Sequence, residues 1–147
     1  MTTYRLKTSK EGKIRKEGNY TYKFINGEWR IIHYKNNKFE SWREYDDKGH
    51  LTHYKNNEGF EYWQEYDDEG NLIHYKNNSD FEYWCEYDDK GHLTHYKNNE
   101  GFESWREYDD KGHLIHYKNN EEFEEWYDDK GEKITEEEFN RIWEKVE

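Results

Sequence analysis

The sequence predicts an all-β protein, an extended meander or solenoid of about five β-hairpin repeats of 21 residues with a divergent N-terminal hairpin and a C-terminal capping α-helix. Three observations lead to this prediction. A pentapeptide recurs at a fixed interval, each interval holds two strand-like runs between turn residues, and the last segment carries a helix-capping signal. We expect cap hairpins in residues 1–32, repeats in 33–131 and the helix in 132–147, all within one structural domain.

The repeat is marked by the pentapeptide His-Tyr-Lys-Asn-Asn. It begins at His33, His53, His74, His95 and His116, with one interval of 20 residues and three of 21. Residues 53–73 and 95–115 differ at four positions only. Near-identical units imply near-identical surroundings, as in a stack in which each repeat contacts its neighbours.

Each repeat reads as one hairpin. The aromatic run 60–66 and the run 72–75 favour strands, because aromatic side chains suit a pleated, half-buried surface. Between them, residues 67–70 read Asp-Asp-Glu-Gly, which predicts a type I turn followed by a glycine with positive φ. The return turn lies at 76–80. Strand alternation predicts aromatic side chains on both faces unless a bulge intervenes, with Phe60, Tyr62 and Tyr66 on one face and Glu61, Trp63 and Glu65 on the other.

The two ends differ from the repeats. Asn26-Gly27 is a strong signal for a two-residue turn within a hairpin over residues 20–32. Thr135 to Glu138 forms a capping box, and the residues after it place apolar side chains on one helical face. These are Phe139, Ile142, Trp143 and Val146. We expect this helix to cover the open edge of the last repeat.

The composition is acidic and aromatic. Charged residues make up 39% of the 147 residues, but 20% are aromatic, which offsets the low aliphatic content and favours a folded chain. Of the net charge of −12, residues 1–32 contribute +5 and residues 53–147 contribute −17. An acidic body repels nucleic acid and favours partners with basic clefts. With one cysteine and no apolar run suited to a signal peptide or a membrane span, we expect a cytoplasmic location.

Residues 86–94, Glu-Tyr-Asp-Asp-Lys-Gly-His-Leu-Thr, resemble the YD repeats of the Rhs type. The hairpin scheme is also similar to bacterial MORN-type repeats, which occur in antitoxin-like proteins. The resemblance covers roughly residues 30–131. It implies an extended β scaffold and supplies no catalytic residues.

The residues that could carry chemistry have structural interpretations as well. Histidines recur three residues apart, as in His50 with His53, but a zinc site needs three or four converging ligands, so we expect stacked cross-repeat histidines. The Asp-Asp pairs are too tightly turned for an EF-hand loop and favour turns. Repeated carboxylates see the same surroundings in every unit, whereas acid/base catalysis needs contrasting ones. Cys85 stands where other repeats have Arg or Gln, which predicts an exposed position. We therefore expect a non-enzyme without metal or cofactor.

The leading functional hypothesis is a small acidic inhibitor that binds a nucleic-acid-handling effector, in the manner of an anti-CRISPR or toxin-immunity protein. Its expected partner is a protein with a basic cleft, of the nuclease or CRISPR effector type. The predicted partner-binding residues are Glu61, Glu65, Asp67, Asp68, Glu82, Glu86, Asp88, Asp89, Glu103, Glu107, Asp109 and Asp110.

Two other hypotheses remain open. One is a carbohydrate or cell-wall binding module, since tandem aromatic hairpins of about this length are similar to choline-binding and glucan-binding repeats. The other is a structural or oligomerising spacer. Direct binding of nucleic acid is disfavoured by the net charge, although Lys7, Lys10, Lys13, Arg15 and Lys16 form a basic cluster.

Overall fold

The computed structural model of the chain describes residues 10–145. Within these residues, thirteen strands form an open antiparallel meander in which the sheet order follows the chain order, and one short helix follows them. The strands are β1 (Ile14–Glu17), β2 (Tyr20–Ile25), β3 (Glu28–Lys35), β4 (Glu40–Tyr45), β5 (Leu51–Asn56), β6 (Glu61–Tyr66), β7 (Leu72–Asn77), β8 (Glu82–Tyr87), β9 (Leu93–Asn98), β10 (Glu103–Tyr108), β11 (Leu114–Asn119), β12 (Glu124–Tyr127) and β13 (Lys133–Ile134), and the helix is α1 (Glu136–Ile142). The predicted all-β hairpin fold with a C-terminal helix is confirmed.

The described chain divides into two compact units. The first contains residues 10–65 and 76–80, and the second contains residues 66–75 and 81–145. The same local arrangements recur in both units, and each is described below within its own unit.

The acidic turn of each repeat closes as the sequence predicts. In the second unit, the Gly112 N–H donates to the Asp109 carbonyl at 3.1 Å and the Asp109 N–H to the His113 carbonyl at 2.9 Å. Gly112 has a φ of 85°, a region that glycine enters without steric cost. Beyond the turn, Glu107 pairs with His116 but Tyr108 pairs with Leu114, which leaves one extra residue in β11 as a bulge.

The return turn is held by the two asparagines of the pentapeptide. Asn98, the first of them, accepts hydrogen bonds at its side-chain oxygen from the backbone N–H groups of Glu100 and Phe102 at 3.0 Å. This bonding pattern is the asparagine turn that ends one strand and starts the next.

The second asparagine joins one repeat to the preceding one. The side chain of Asn120 accepts a hydrogen bond from the Glu103 N–H at 2.9 Å and donates to the Gly101 carbonyl at 2.6 Å, while its backbone N–H donates to the Glu103 carbonyl at 3.0 Å. In the first unit, Asn57 makes the same three bonds, to Glu40 and Lys38. We call this arrangement the asparagine clamp.

The two faces of the sheet carry different rows of side chains. On one face, which we call the histidine–tryptophan face, the pentapeptide histidines pair with tryptophans of the next strand, as in His53 with Trp63. On the other, the tyrosine face, Tyr54 pairs with Tyr62. This alternation agrees with the predicted assignment of β6 side chains to two faces.

A continuous line of paired residues crosses five strands of the histidine–tryptophan face in the second unit. It runs Glu86, His95, Trp105, Lys118 and Glu124, each paired with the next in register. The His95 and Trp105 rings are stacked at 5.4 Å and 11°, and the Lys118 ammonium lies 5.5 Å from the centre of the Trp105 ring. Ring stacking and a cation–π contact thus take the place of aliphatic packing between repeats.

On the tyrosine face, the repeats pack in two alternative ways. Tyr83 stacks on Tyr75 at 5.1 Å and 16°. In another repeat of the same unit, Ser104 replaces this tyrosine and is fully buried, and the Arg106 guanidinium lies 5.1 Å from the centre of the Tyr117 ring. In the first unit, Ser41 and Arg43 pack in the same way as Ser104 and Arg106, with the Arg43 guanidinium over the Tyr54 ring. A long cationic side chain therefore replaces the missing ring.

The prediction that Cys85 is exposed is wrong. Its relative exposure is 9%, which makes it one of the few buried residues of the described chain, and burial raises the pKa of its thiol. Cys85 lies on the tyrosine face opposite Tyr96, and its position in the strand alone does not predict how far it is buried.

The helix is shorter than predicted. The capping box forms, since the Thr135 hydroxyl accepts from the Glu138 N–H and the Glu138 carboxylate from the Thr135 N–H. The helix ends at Ile142, which is 51% exposed, and Trp143 is extended and donates from its indole to the Tyr127 carbonyl. The predicted helical position Val146 lies outside the described residues.

The N-terminal hairpin has the predicted turn, and a further strand precedes it. Asn26 and Gly27 both have positive φ, at 48° and 83°, as a two-residue hairpin turn requires. An additional strand, β1, pairs with β2 and presents exposed side chains only.

Candidate functional site

The twelve acidic residues predicted to bind a partner form four sets that repeat along the chain, and the structure gives each set a different environment. The strand-start glutamates are Glu61, Glu82 and Glu103. The strand-end glutamates are Glu65, Glu86 and Glu107. The first turn aspartates are Asp67, Asp88 and Asp109, and the second turn aspartates are Asp68, Asp89 and Asp110.

The strand-start glutamates are half-buried and serve the sheet. Glu61 lies 2.7 Å from Nε2 of His53 in the first unit. In the second unit, Glu82 lies 2.8 Å from Nε2 of His74 and Glu103 lies 2.7 Å from Nε2 of His95. Each of these carboxylates contacts a histidine of the neighbouring strand, so the predicted partner-binding residue Glu61 also takes part in holding the sheet together.

The first turn aspartates close the turns. The Asp109 side chain is 4% exposed and binds the backbone N–H of His113 at 2.8 Å and the His113 ring at 3.0 Å. Burial raises the pKa of Asp109, but these hydrogen bonds outweigh it and the net pKa is lowered. At Asp67, the hydrogen bond from the Asn71 side chain is the leading cause of a lowered pKa. These carboxylates hold their own turns through hydrogen bonds.

The strand-end glutamates and second turn aspartates are the exposed members. The side chains of Glu86 and Glu107 are 73% and 57% exposed, and Asp89 and Asp110 lie at the tips of their turns. All four belong to the second unit and lie at the acidic-turn end of their hairpins. We refer to Glu86, Asp89, Glu107 and Asp110 as the outer carboxylates.

The outer glutamates still touch the sheet through histidine. The Glu107 carboxylate lies 3.1 Å from Nδ1 of His116, and the Glu86 carboxylate lies 3.4 Å from Nδ1 of His95. Each contact holds the carboxylate above the histidine–tryptophan face and limits its conformational freedom.

Histidines of the repeats contact carboxylates and rings. The pentapeptide histidines stack on tryptophans at 5.2 to 5.6 Å, which agrees with the predicted row of cross-repeat contacts. The histidines that follow the acidic turn form a second group, and each of them, such as His92, contacts the first turn aspartate of its own hairpin. Within residues 10–145, no three potential ligands gather where they could hold a metal ion.

Two tryptophan rings of the second unit lie between other side chains of the chain, whereas Trp63 of the first unit is 40% exposed. Trp105 is flanked by the His95 ring and by the Lys118 ammonium, and Trp84 is flanked in the same way by His74 and Lys97. A sugar ring or a choline group binds by stacking on an open aromatic face. In these repeats the chain's own side chains occupy that position.

The basic N-terminal cluster is only partly described, because Lys7 lies outside residues 10–145. Arg15 is engaged with aromatic rings, since its guanidinium lies 5.0 Å from the centre of the Tyr22 ring and 4.8 Å from that of Trp29. It also pairs with Glu17 at 3.3 Å. This arginine has a structural role in the first hairpins.

Sequence reasoning missed the asparagine clamp. The signal was present, because the second asparagine recurs in every pentapeptide although a return turn needs only the first.

In the part of the chain that the structure describes, no helix is long and apolar enough to cross a membrane.

Comparisons with known proteins leave the family undetermined. No protein-family model matches the chain, and no curated protein matches it either. Among solved structures, a chain in the "Crystal Structure of TcdB2-TccC3-TEV" is similar over 74% of this chain, with 13% sequence identity and a TM-score of 0.38. The matched part is 8% of that chain.

Proposed function

We propose that this protein is a non-catalytic inhibitor that uses its outer carboxylates to bind a basic cleft of a nucleic-acid-handling effector. The observation that carries the proposal is the division of the acidic residues into committed and exposed sets. Of the four sets, the turn-closing aspartates and the strand-start glutamates serve the fold, whereas Glu86, Asp89, Glu107 and Asp110 are exposed and repeat in register.

The arrangement suits electrostatic recognition. Equivalent strands of successive repeats are two strands apart, so their carboxylates recur at intervals of ~9.6 Å. Carboxylates fixed on paired strands need little ordering when a partner binds. Proteins that handle nucleic acids present lysine and arginine to phosphates, and a regular acidic surface competes for those side chains.

The absence of catalysis is part of the proposal. Each outer glutamate recurs in an equivalent environment, bonded to a pentapeptide histidine, so the carboxylates lack the contrast that acid/base chemistry uses. An inhibitor that works by occluding a cleft of its partner needs no chemistry of its own.

The test is affinity capture from host lysate with charge-matched variants. The test variant is Glu86→Lys, Asp89→Lys, Glu107→Lys and Asp110→Lys. The control variant is Glu58→Lys, Glu100→Lys, Glu121→Lys and Glu122→Lys, which makes the same change in net charge at the opposite, return-turn end. Asp67, Asp88 and Asp109 are left intact because their loss opens the turns.

We expect the wild type and the control to retain a basic nuclease or CRISPR effector at low salt and to lose it as salt rises. The test variant should retain none. Equal capture by both variants would contradict the proposal. Retention on choline resin or glycan would favour the carbohydrate-binding hypothesis, and recovery of the protein alone would favour the spacer hypothesis.

A further inference from the structure

The turn between β2 and β3 contains Asn26-Gly27, a dipeptide that occurs once in the sequence. Both residues are exposed. Within residues 10–145, the Gly27 N–H donates no hydrogen bond, and no atom beyond the adjacent residues lies within 4 Å of the place that a Cβ on Gly27 would occupy. The backbone nitrogen that follows the Asn26 side chain is therefore unbonded and unobstructed.

The Asn26 side chain links the N-terminal hairpin to the next hairpin. Its Nδ2 donates to the Lys48 carbonyl at 2.7 Å, in the acidic turn between β4 and β5. The Asn26 backbone N–H donates to the Glu11 carboxylate, at 3.1 and 3.2 Å from its two oxygens. Asn26 thus joins three separate segments of the first unit.

An asparagine amide followed by an open backbone nitrogen is a site for intramolecular chemistry. Attack of the Gly27 nitrogen on Cγ of Asn26 forms a C–N bond and a cyclic imide. The Cγ–Nδ2 bond breaks, and Nδ2 leaves as ammonia with the proton from the Gly27 nitrogen. Water then opens the imide at either carbonyl, which gives aspartate or, where the chain continues through Cγ, isoaspartate. Glycine favours the attack because it has no Cβ beside its nitrogen.

We propose that Asn26 is a site of spontaneous deamidation, with water as the co-reactant, and that its conversion detaches the N-terminal hairpin from the turn at residues 46–49. The proposal concerns the chemistry of the chain itself and does not depend on the proposed partner.

The pentapeptide asparagines of the same unit are held differently. The Asn78 side chain is bonded at both ends of its amide, since it accepts from the Glu61 N–H at 3.2 Å and donates to the Gly59 carbonyl at 2.6 Å. The next backbone nitrogen, that of Ser79, is also engaged, because its N–H donates to the Asn77 side chain at 2.9 Å. Asn78 is therefore an internal reference for an asparagine that the fold protects.

The product at position 26 cannot make the contact that it replaces. A carboxylate has no N–H to donate to the Lys48 carbonyl. Its charge is placed on the same residue whose backbone N–H holds the Glu11 carboxylate, and like charges at short range repel. In isoaspartate the backbone runs through one additional carbon, which conflicts with a two-residue turn that has φ of 48° and 83°. Both products should loosen the hold of the N-terminal hairpin on the first repeat.

The contact with Lys48 also restrains the reaction. The amide is fixed at Nδ2 by the bond at 2.7 Å, so it has to leave this bond before Cγ can turn toward the Gly27 nitrogen. The bond lies at the surface, where water can replace it. We expect deamidation in the folded protein to be slower than in the unfolded chain.

The first experiment incubates the folded protein at mildly alkaline pH and follows its tryptic peptides by mass spectrometry. Trypsin cuts after Lys23 and Arg30, so Asn26 is the one asparagine of the peptide 24–30, whereas Asn78 lies in the peptide 77–90. We expect peptide 24–30 to accumulate both aspartate and isoaspartate while peptide 77–90 stays largely unchanged.

No product at Asn26, or faster conversion in peptide 77–90, would overturn the site. Aspartate without isoaspartate would overturn the attack by Gly27, because direct hydrolysis of the amide does not give the isomer. A parallel incubation in urea should convert Asn26 several-fold faster, and an equal rate would contradict the restraint by Lys48.

The second experiment compares thermal unfolding of Asn26→Asp with that of Asn37→Asp. Both variants add one negative charge to the first unit, but within residues 10–145 the Asn37 side chain makes no hydrogen bond. We expect Asn26→Asp to lower the midpoint by about 2–5 °C and Asn37→Asp to leave it close to that of the wild type. Equal midpoints for the two variants would overturn the detachment of the hairpin.

Discussion

The asparagine clamp allows a quantitative prediction for Asn120→Ala. The substitution removes the hydrogen bonds at 2.9 Å from the Glu103 N–H and at 2.6 Å to the Gly101 carbonyl, but leaves the backbone bond to Glu103. A net contribution of ~0.5–1.5 kcal/mol per bond gives a loss of about 1–3 kcal/mol in the free energy of unfolding. Because the clamp is exposed and water replaces part of each bond, we expect ~1–2 kcal/mol, or a midpoint lower by ~2–8 °C.

The measurement is urea unfolding followed by tryptophan fluorescence, with Asn37→Ala as the control. Asn37 holds the same place in the first pentapeptide, but within residues 10–145 its side chain makes no hydrogen bond. The control should change the unfolding free energy by less than ~0.5 kcal/mol. If the two variants lose equal stability, the side-chain hydrogen bonds of the clamp do not couple the repeats.

Three further outcomes are expected. Glu122 has a φ of 65° where the equivalent residue in another repeat is Gly101, so Glu122→Gly should raise the free energy of unfolding by about 0.5–1 kcal/mol, and denaturant titration showing a loss would contradict the strain. The variant Asn71→Ala removes the leading cause of the lowered Asp67 pKa, so NMR titration should find that carboxyl titrating at higher pH. Since the folded-state pKa is depressed, this stability is present above pH ~4 and is lost as pH falls, less steeply in the variant. Cys85 is buried with a raised pKa, so iodoacetamide should label it at least ~10-fold more slowly in the native protein than in denaturant, and equal rates would contradict burial.

Local chemistry made the hairpins predictable. The Asp-Asp-x-Gly turn is specified by four residues, and Gly112 shows the positive φ that the pattern requires. The paired faces of β6 follow from strand alternation alone. Both features depend on residues within a single repeat, so they can be predicted from the sequence of that repeat.

What the sequence did not reveal depends on contacts between repeats. Cys85 is 9% exposed and lies opposite Tyr96 of the adjacent strand, although its own strand position is the one that carries Arg106 elsewhere. The division of the acidic residues had the same origin. Glu103 and Glu107 are four residues apart in one strand, yet Glu103 is half-buried against His95 of the preceding strand, whereas Glu107 is 57% exposed and contacts His116 of the following strand. Register between strands decides this, since Glu103 pairs with Lys97 of β9 whereas Glu107 pairs with His116 of β11.

The asparagine clamp also bears on how such a chain can change length. Asn120 reaches back to Glu103 and Gly101, and Asn99 in turn reaches back to Glu82, so these two repeats bind their predecessors through the same pentapeptide position. A tandem duplication of 21 codons would therefore insert a repeat with both junctions already matched, wherever its breakpoints fell within the near-identical units. Gene length can vary in whole repeats while the two ends stay unchanged, and the number of outer carboxylates grows or shrinks in the same steps.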